Sequence, residues 1–284
     1  MTRLSLAIPS KGRLREPTWN LLQAAGLAPE DLGERVLSVP CRNADVDVLF
    51  VRADDVAEYV RDGVVDCGVT GLDLVAEREA DVATLLPLDY GHCALHAAVP
   101  FENEATSLAD LNGLRVATSH PVIAARALAA VGATAELIPV RGSVEIAPRL
   151  ALADAIIDLV STGSTLRTNG LRSLGSIFES EAVVIARAST ATRDDVRALV
   201  TMLRSVLTAR ANRYLMCNVS STQLAALTAA LPTKGSPSVM PLADSDLVAV
   251  HALVPAKDVW SLLPRLEALG ASAILTLPVE RMVP

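Results

Sequence analysis

The stretch from Glu145 to Leu166, EIAPRLALADAIIDLVSTGSTL, decides the fold because it runs a buried strand directly into a hydroxyl-rich loop. Ala155–Val160 is apolar except for Asp158, and such a short run predicts a strand inside a parallel sheet. The N–H groups and hydroxyls of the following loop can converge on a phosphate, helped by the positive end of the next helix. We therefore predict an α/β fold with a phosphate-binding loop made of Ser161, Thr162, Gly163, Ser164 and Thr165.

Three carboxylates accompany this loop, at Glu145, Asp154 and Asp158. A carboxylate just before a phosphate loop suits ribose hydroxyl groups, or a Mg²⁺ ion that those hydroxyls hold. The simpler alternative is an ordinary strand-to-helix turn in which Ser and Thr only cap the helix. The three carboxylates favour the first interpretation, because an acid, an apolar run and a Thr/Ser–Gly loop are the recognition pattern of enzymes that use phosphoribosyl pyrophosphate.

The rest of the chain alternates strands and helices in two rounds. Leu4–Ile8, Val46–Val51 and Val64–Val69 predict the strands of the first round, with helices between them. A second round begins near Cys93 and includes a predicted helix over Val144–Leu152. Each round predicts a parallel sheet covered by helices, and two rounds predict two lobes with a cleft between them.

The C-terminal part of the chain shows a different order of elements. Its apolar and helical patterns follow the order β-α-β-β-α-β, which is that of a ferredoxin-like sandwich. We therefore expect three parts. Lobe I comprises residues 1–91 with 186–212, lobe II comprises residues 92–185 with the phosphate loop, and a small domain comprises residues 213–284.

Composition excludes several classes of protein. The chain has 25 Lys and Arg against 32 Asp and Glu, a formal net charge of −7, and 3% aromatic residues. It therefore lacks the basic surface and the stacking residues that nucleic-acid binders use. Its longest uncharged stretch, Leu215 to Thr233, contains Asn, Ser, Thr and Gln and predicts no membrane span. The four cysteines form no CxxC pair, which indicates free thiols in a reducing cytoplasm and no zinc site.

The quoted stretch closely resembles the signature of the ATP phosphoribosyltransferase family in its long form, the first enzyme of histidine biosynthesis. Ala151 stands where that signature usually has Gly. Four further blocks resemble the family in family order: Pro9–Leu14, Asp62–Gly71, Leu111–Ser119 and Gly270–Leu275. Because five blocks occur at family separations, the resemblance extends over the whole chain.

This resemblance implies a two-lobed, periplasmic-binding-protein-like catalytic region with parallel-rich sheets, followed by a ferredoxin-like (ACT-like) regulatory domain. It implies a glycosyltransferase that moves 5-phosphoribosyl from phosphoribosyl pyrophosphate to N1 of ATP, releases pyrophosphate and uses Mg²⁺. It also implies feedback inhibition by L-histidine and a cytoplasmic homo-oligomer, which is a hexamer in the long-form relatives.

The resemblance also assigns candidate residues to each part of the site. The catalytic candidates are Lys11, Arg13, Glu145 and Asp158, of which the last two are also candidate metal ligands. The phosphoribosyl group would contact Asp158, Ser161, Thr162, Gly163, Ser164 and Thr165. ATP or pyrophosphate would contact Lys11, Gly12, Arg13, Arg52, Gly71, Asp73 and His120. The regulatory histidine would contact Ser220, Ser236, Ser238 and Ala273.

Two other functions stay open at this point. A two-lobed small-molecule sensor would share the fold, although the phosphate loop argues against it. A catalytically silent regulatory subunit of the same fold would be expected to lose Lys11 or the loop, and both are present. Carboxylates outside these motifs, Glu77 and Glu79 among them, are interpreted as solvated charges on exposed helical faces or turns.

Overall fold

A computed structural model of the 284-residue chain describes residues 3–30, 36–160, 164–233, 235–243 and 245–283. The chain divides into two compact units. The first comprises Met1–Asn20 and Leu27–Arg197, and the second comprises Leu21–Gly26 and Ala198–Pro284.

The regular elements alternate as the sequence predicts for most of the first unit. The strands, in chain order, are β1 (Leu4–Pro9), β2 (Ser38–Pro40), β3 (Val46–Val51), β4 (Cys67–Gly71), β5 (Ala83–Pro87), β6 (Cys93–Pro100), β7 (Arg115–Thr118), β8 (Glu136–Pro139), β9 (Ala155–Val160), β10 (Leu171–Ser180), β11 (Ala182–Ala186), β12 (Asn212–Ser220), β13 (Ser238–Pro241), β14 (Leu247–Pro255) and β15 (Ser272–Pro278). The α-helices are α1 (Arg15–Ala24), α2 (Ala53–Arg61), α3 (Leu72–Glu77), α4 (Pro121–Ala130), α5 (Ser164–Thr168), α6 (Ala188–Ala191), α7 (Asp194–Arg210), α8 (Leu224–Ala230) and α9 (Val259–Ala268).

Lobe I is built on a six-stranded sheet with the order β2-β3-β1-β4-β11-β5. Strand β1 is parallel to β3 and β4, and β11 is antiparallel to β4 and β5. The strands β1, β4 and β11 are almost wholly buried, because helices cover the sheet and the strands are continuous apolar runs. Strand β11 joins this sheet from Ala182, so the chain has already returned to lobe I four residues before the expected boundary.

Lobe II repeats this plan in a five-stranded sheet with the order β10-β6-β9-β7-β8. Here β7 is parallel to β8 and β9, and β6 is antiparallel to β9 and β10. Each lobe therefore has three parallel strands in the order second, first, third, followed by an antiparallel strand. The predicted two-lobed, periplasmic-binding-protein-like region with parallel-rich sheets is confirmed.

The predicted helix over Val144–Leu152 is wrong. Only a 3-10 turn forms there, over Val144–Ile146. Pro148 lacks an N–H group, so it cannot donate the helical hydrogen bond to the carbonyl of Val144. Ser143 and Ala151, on either side, have left-handed backbones with φ of 52° and 54°. The left-handed conformation at Ala151 explains why glycine suits this position of the family signature.

The C-terminal part of the second unit is a ferredoxin-like sandwich, as predicted. Its sheet has the order β13-β14-β12-β15, and every described strand pair in it is antiparallel. Leu227 of α8 and Leu266 of α9 pack against Leu215 and Val250 on one face of the sheet. Among the described residues, no helix combines the length and the apolar character that a membrane span requires.

Candidate active site

The carboxyl ends of β1, β3 and β4 lie at one edge of the lobe I sheet, because these strands are parallel. The residues after them are Lys11 to Arg13, then Arg52, and then the first turn of α3 with Asp73. Gly12 has a φ of 82°, so the turn between the two cations uses a backbone conformation that favours glycine. Open α/β sheets bind ligands at this edge.

The lobe II sheet contributes the opposite wall. Ser119 and His120 follow β7, Arg141 follows β8, and Asp158 lies near the end of β9. These three strands are also parallel, so their carboxyl ends meet at one edge. The structure therefore gathers polar groups from distant parts of the sequence at a single edge of each lobe.

A cleft of about 880 Å³ lies between these two edges. Its charged lining residues are Lys11, Arg13, Arg52, Arg78 and Arg141, together with Asp54, Asp55, Asp73 and Glu77. Arg78 is paired with Glu58 at 3.3 Å. The side chains of Lys11, Arg52 and Arg141 form no hydrogen bond or ion pair with any residue in the described part of the chain. Three cations are therefore available to an anionic ligand.

Asp73 lies at the base of the cleft and is almost fully buried. Its Oδ1 accepts a hydrogen bond from the Ser180 hydroxyl, and its Oδ2 lies 3.3 Å from Nε2 of His120. Burial opposes the charge, but these two contacts outweigh it and hold the pKa of the Asp73 carboxyl below its ordinary value. Gly71 makes room for this carboxylate, since a Cβ there would lie 2.3 Å from Asp73 Oδ1.

A chain of contacts continues from His120 to Asp158. Ser119 Oγ lies 2.8 Å from His120 Nδ1 and donates to Asp158 Oδ1 at 3.3 Å. Burial is the main reason why the pKa of Asp158 is raised, and the nearby charge of Glu145 adds to the increase. A half-buried carboxyl with a raised pKa beside a cleft is a candidate for a ligand-binding or catalytic group.

The family of the chain can now be assigned from its relatives. A family model described as "ATP phosphoribosyltransferase" matches residues 52–205, and one described as "HisG, C-terminal domain" matches residues 209–281. The first match alone covers more than half of the chain. The chain belongs to the ATP phosphoribosyltransferase family.

Individual ATP phosphoribosyltransferases support this assignment. The protein from Methanococcoides burtonii is 41% identical over 283 residues, which is 99% of this chain and 100% of that protein. The protein from Gemmatimonas aurantiaca is 41% identical over 292 residues, with the same coverage of 99% and 100%. A solved ATP phosphoribosyl transferase (HisG:HisZ) complex from Thermotoga maritima matches with a TM-score of 0.62 and 30% identity. That match covers 71% of this chain and 96% of the other.

The structure brings half of the fourteen active-site residues predicted for an ATP phosphoribosyltransferase to the cleft. Seven of them line it: Lys11, Gly12, Arg13, Arg52, Gly71, Asp73 and His120. Arg13 also reaches lobe II, where its guanidinium donates to Cys93 Sγ at 2.8 Å. Glu145 lies in the 3-10 turn, and Ser164 and Thr165 begin α5 with exposed side chains. Ser161, Thr162 and Gly163 lie outside the described residues.

Asp154, which supported the phosphoribosyl interpretation, does not belong to this edge. It precedes β9 and accepts hydrogen bonds from the Arg115 side chain at 2.8 and 3.2 Å. It also accepts from the Arg115 N–H at 3.0 Å. Asp154 is therefore a structural partner of Arg115 at the opposite end of the strand from the cleft.

The cleft lining includes polar residues that the sequence analysis did not assign to the site, among them Ser119, Arg141, Arg78 and Glu77. Arg141 follows the parallel strand β8, so its place at the cleft edge could be expected from the position of that strand in the sequence. Glu77 was interpreted as a solvated charge, and this is wrong. Its carboxylate accepts hydrogen bonds from backbone N–H groups of Val122 and Ile123. No local pattern signals a contact between residues so far apart in the sequence.

The described residues contain no group of three or more His, Cys, Asp or Glu side chains that could hold a metal ion alone. They do contain the pair Asp158 and Glu145, whose like charges interact. Mg²⁺ is commonly held by one or two carboxylates plus substrate phosphates. The pair therefore fits a Mg²⁺ ion that is carried largely by a phosphorylated substrate.

The four residues predicted to bind histidine do not converge within one chain. Ser220 ends β12 and Ala273 lies on the neighbouring β15, near the bulge opposite Met216 and Asn218. Ser238 lies on β13, three strand spacings from β15, which is roughly 14 Å. Ser236 precedes β13 and is exposed. Ala273 has a left-handed backbone with φ of 48°.

Proposed function

We propose that the chain transfers the 5-phosphoribosyl group from phosphoribosyl pyrophosphate to N1 of the adenine of ATP, releasing pyrophosphate, in the first step of histidine biosynthesis. The observation that carries this proposal is the cleft itself. Three of its cations have side chains without a partner among the described residues, and its lining residue Ser119 contacts the half-buried carboxylate Asp158. Membership of the ATP phosphoribosyltransferase family supplies the identity of the two substrates.

The cations Lys11, Arg13, Arg52 and Arg141 bind the phosphate groups of the two substrates. Both substrates are polyanions, and the chain carries a formal net charge of −7. Local positive charge is therefore needed to offset the repulsion. Gly12, Gly71, Asp73 and His120 form the nucleotide side of the site.

Asp158 and Glu145 bind the ribose hydroxyls, and the loop Ser161–Thr165 holds the 5-phosphate. The bond from ribose C1′ to the pyrophosphate oxygen breaks, and a bond from C1′ to adenine N1 forms. The ribose passes through an oxocarbenium-like state, so no covalent enzyme nucleophile is needed. Catalysis rests on holding both substrates in line and on stabilising the departing pyrophosphate.

Asp158 and Glu145, together with the substrate, would hold Mg²⁺, which would neutralise the charge on the leaving group. The residues of the chain do the remaining work. Ser119 orients the Asp158 carboxylate through its hydrogen bond, and Ser180 and His120 orient Asp73. We further propose that the protein works as a cytoplasmic homo-oligomer, a hexamer by family resemblance, which its mass in solution will test.

The test is pyrophosphate release by the purified protein with ATP, phosphoribosyl pyrophosphate and Mg²⁺. Turnover should require all three, and omission of either substrate should abolish it. A product absorbing as an N1-substituted adenine nucleotide identifies the acceptor atom. A folded protein that releases no pyrophosphate with all components present contradicts the proposal and leaves the sensor and the silent subunit as the remaining functions.

We propose that L-histidine inhibits by binding the C-terminal domain, with Ser220, Ser236, Ser238 and Ala273 contributed to its site by neighbouring copies of the chain in the proposed homo-oligomer. The domain adds no candidate catalytic group, which suits a regulatory role. Linkage requires that histidine prefer an inhibited arrangement over the active one.

Ser238→Phe tests this regulation, because it fills the proposed site without touching the cleft. It is a cleaner change than Ala273→Phe, since a bulky residue adds strain at the left-handed backbone of Ala273. Ser261→Phe on α9 is the size-matched control. We expect Ser238→Phe to stay active and to need at least about tenfold more histidine for half inhibition, a shift of about 1.4 kcal/mol. Parental sensitivity in this variant places the histidine site elsewhere.

A further inference from the structure

Helix α3 of lobe I carries Asp73 and Glu77 one turn apart, so both face the start of helix α4 in lobe II. The Glu77 carboxylate accepts from the N–H of Val122 at 3.0 and 3.1 Å, and from the N–H of Ile123 at 3.0 Å. Asp73 lies 3.3 Å from the His120 ring. Glu77 therefore caps a helix that belongs to the other lobe.

Helix α4 does not supply this cap itself. Its N-cap residue His120 makes no side-chain hydrogen bond to the helix, and Pro121 at the first helical position has no N–H. The N–H groups of a first turn are usually satisfied by a Ser, Thr, Asp or Asn side chain at the N-cap. Here the acceptor lies 45 residues earlier in the chain. The cap therefore exists only while α3 and α4 are adjacent.

The capped turn leads directly into the cleft. Ser119 and His120 immediately precede Pro121, and their side chains contact Asp158 and Asp73. A shift of the first turn of α4 would move both side chains. We propose that Glu77 is a positioning residue of the phosphoribosyl transfer, which caps α4 across the cleft and thereby holds Ser119 and His120 in place. This inference rests on the proposed function.

The charge of Glu77 supports the same role. A carboxylate without a partner in a cleft for two polyanions would repel them. The partial positive charge of the α4 N-terminus and the two N–H groups offset the charge of Glu77. A solvated glutamate on the protein surface would contact neither a helix N-terminus nor these two N–H groups.

Glu79 provides a matched control. Its carboxylate pairs with Arg126 of α4, so it joins the same two parts of the molecule with the same charge. It is exposed and is not among the residues that line the cleft. An exposed ion pair contributes little, so Glu79→Ala should leave turnover close to that of the parent.

The first experiment measures hydrogen–deuterium exchange of the peptide containing Val122 and Ile123, together with kcat. Glu77→Ala should speed exchange of these amides by about 2- to 30-fold, the range expected for loss of a helix cap. It should lower kcat by a factor in the same range. Glu77→Gln keeps one acceptor oxygen and should fall between this variant and the parent. If Glu77→Ala does not fold, Glu77→Gln is compared with Glu79→Ala instead.

The second experiment is chemical rescue of kcat by a small anion. A variant that had lost activity through a general loss of stability would not recover it specifically with that anion. Removing the side chain leaves two N–H groups at a helix N-terminus, and such a site accepts small anions. Sodium acetate, compared with sodium chloride at the same ionic strength, should raise kcat of Glu77→Ala and leave the parent and Glu79→Ala unchanged. Parental kcat or exchange in Glu77→Ala, an equal loss in Glu79→Ala, or a lack of rescue by acetate overturns the inference.

Failure of the proposed function gives a different result. A folded parent that releases no pyrophosphate contradicts the proposed function. The kcat measurements on the Glu77 variants then cannot be made. Exchange at Val122 and Ile123 still decides whether Glu77 caps α4. Faster exchange in Glu77→Ala, but not in Glu79→Ala, supports the proposed cap. Unchanged exchange in Glu77→Ala shows that Glu77 does not cap α4.

Discussion

Asp154 and Asp158 lie four residues apart, one just before strand β9 and the other near its end, and their surroundings differ. Asp154, before the strand, is held by the side chain and N–H of Arg115. Asp158, near the end of the strand, is half-buried beside the cleft residue Ser119. Hydrogen bonds from Arg115 lower the pKa of Asp154, whereas burial raises the pKa of Asp158. The same residue type is a structural partner of Arg115 at one edge of the sheet and a proposed ligand group at the other.

Lobe I shows the same contrast between its edges. At the amino edge, Arg3 donates to Asp47 and to three backbone carbonyls, and Asp66 accepts from Ser5 and Arg193. At the carboxyl edge, the side chains of Lys11 and Arg52 have no partner among the described residues. Charges satisfied within the protein stabilise the fold, while charges left without a partner at a cleft are available to substrates.

The largest expected effect concerns Asp158. Asp158→Asn keeps the shape of the side chain but removes the charge that bonds the ribose hydroxyls. Charge-assisted hydrogen bonds of this kind are worth roughly 1.5–3 kcal/mol, so kcat/KM should fall by about tenfold to several hundredfold. Steady-state kinetics with phosphoribosyl pyrophosphate as the varied substrate measure the loss. Kinetics equal to the parent's would remove Asp158 from the site and erase the contrast.

The matched change at the other end of the strand is Asp154→Asn. It weakens the contact with Arg115 and should lower the free energy of unfolding by roughly 0.5–1.5 kcal/mol, since the pair is partly exposed. The kcat/KM of the folded variant should stay within about twofold of the parent's. Urea unfolding at neutral pH measures the change. A large loss of activity without a loss of stability would mean that the amino edge also serves the reaction.

The smallest expected effect is the pH dependence of stability. Asp154 has a lowered pKa in the folded protein, so its contribution is present above the ordinary carboxyl pKa of about 4 and is lost as pH falls below it. Asp158 has a raised pKa, so its ionisation costs stability as pH rises above that value. Relative to the parent, Asp154→Asn should therefore lose less stability on acidification. Asp158→Asn should gain stability at neutral pH. Unfolding curves between pH 3 and 7 give the change in stability of each variant relative to the parent. A change of the same sign in both variants at neutral pH would contradict the distinction between Asp154 and Asp158.

Much of the candidate site could be read from the sequence because parallel strands place their following loops at one edge. Lys11, Arg52 and Asp73 follow parallel strands of one sheet, and they line the same cleft as His120. The same rule also applied to Arg141, which was overlooked. Asp154 is close to the phosphate loop in sequence. It precedes the strand, however, and therefore lies at the opposite edge, against Arg115.

The sequence by itself determined the family, the two rounds of strands and helices, and the ferredoxin-like order of the C-terminal elements. These follow from local periodicity and from short motifs, which act over a few residues. Only the tertiary structure decided which carboxylates are structural partners and which face the cleft. It alone revealed that Glu77 caps a helix 45 residues away and that Ser119 links His120 to Asp158. Such contacts depend on how the two lobes meet, and no pattern within a single strand or helix records that packing.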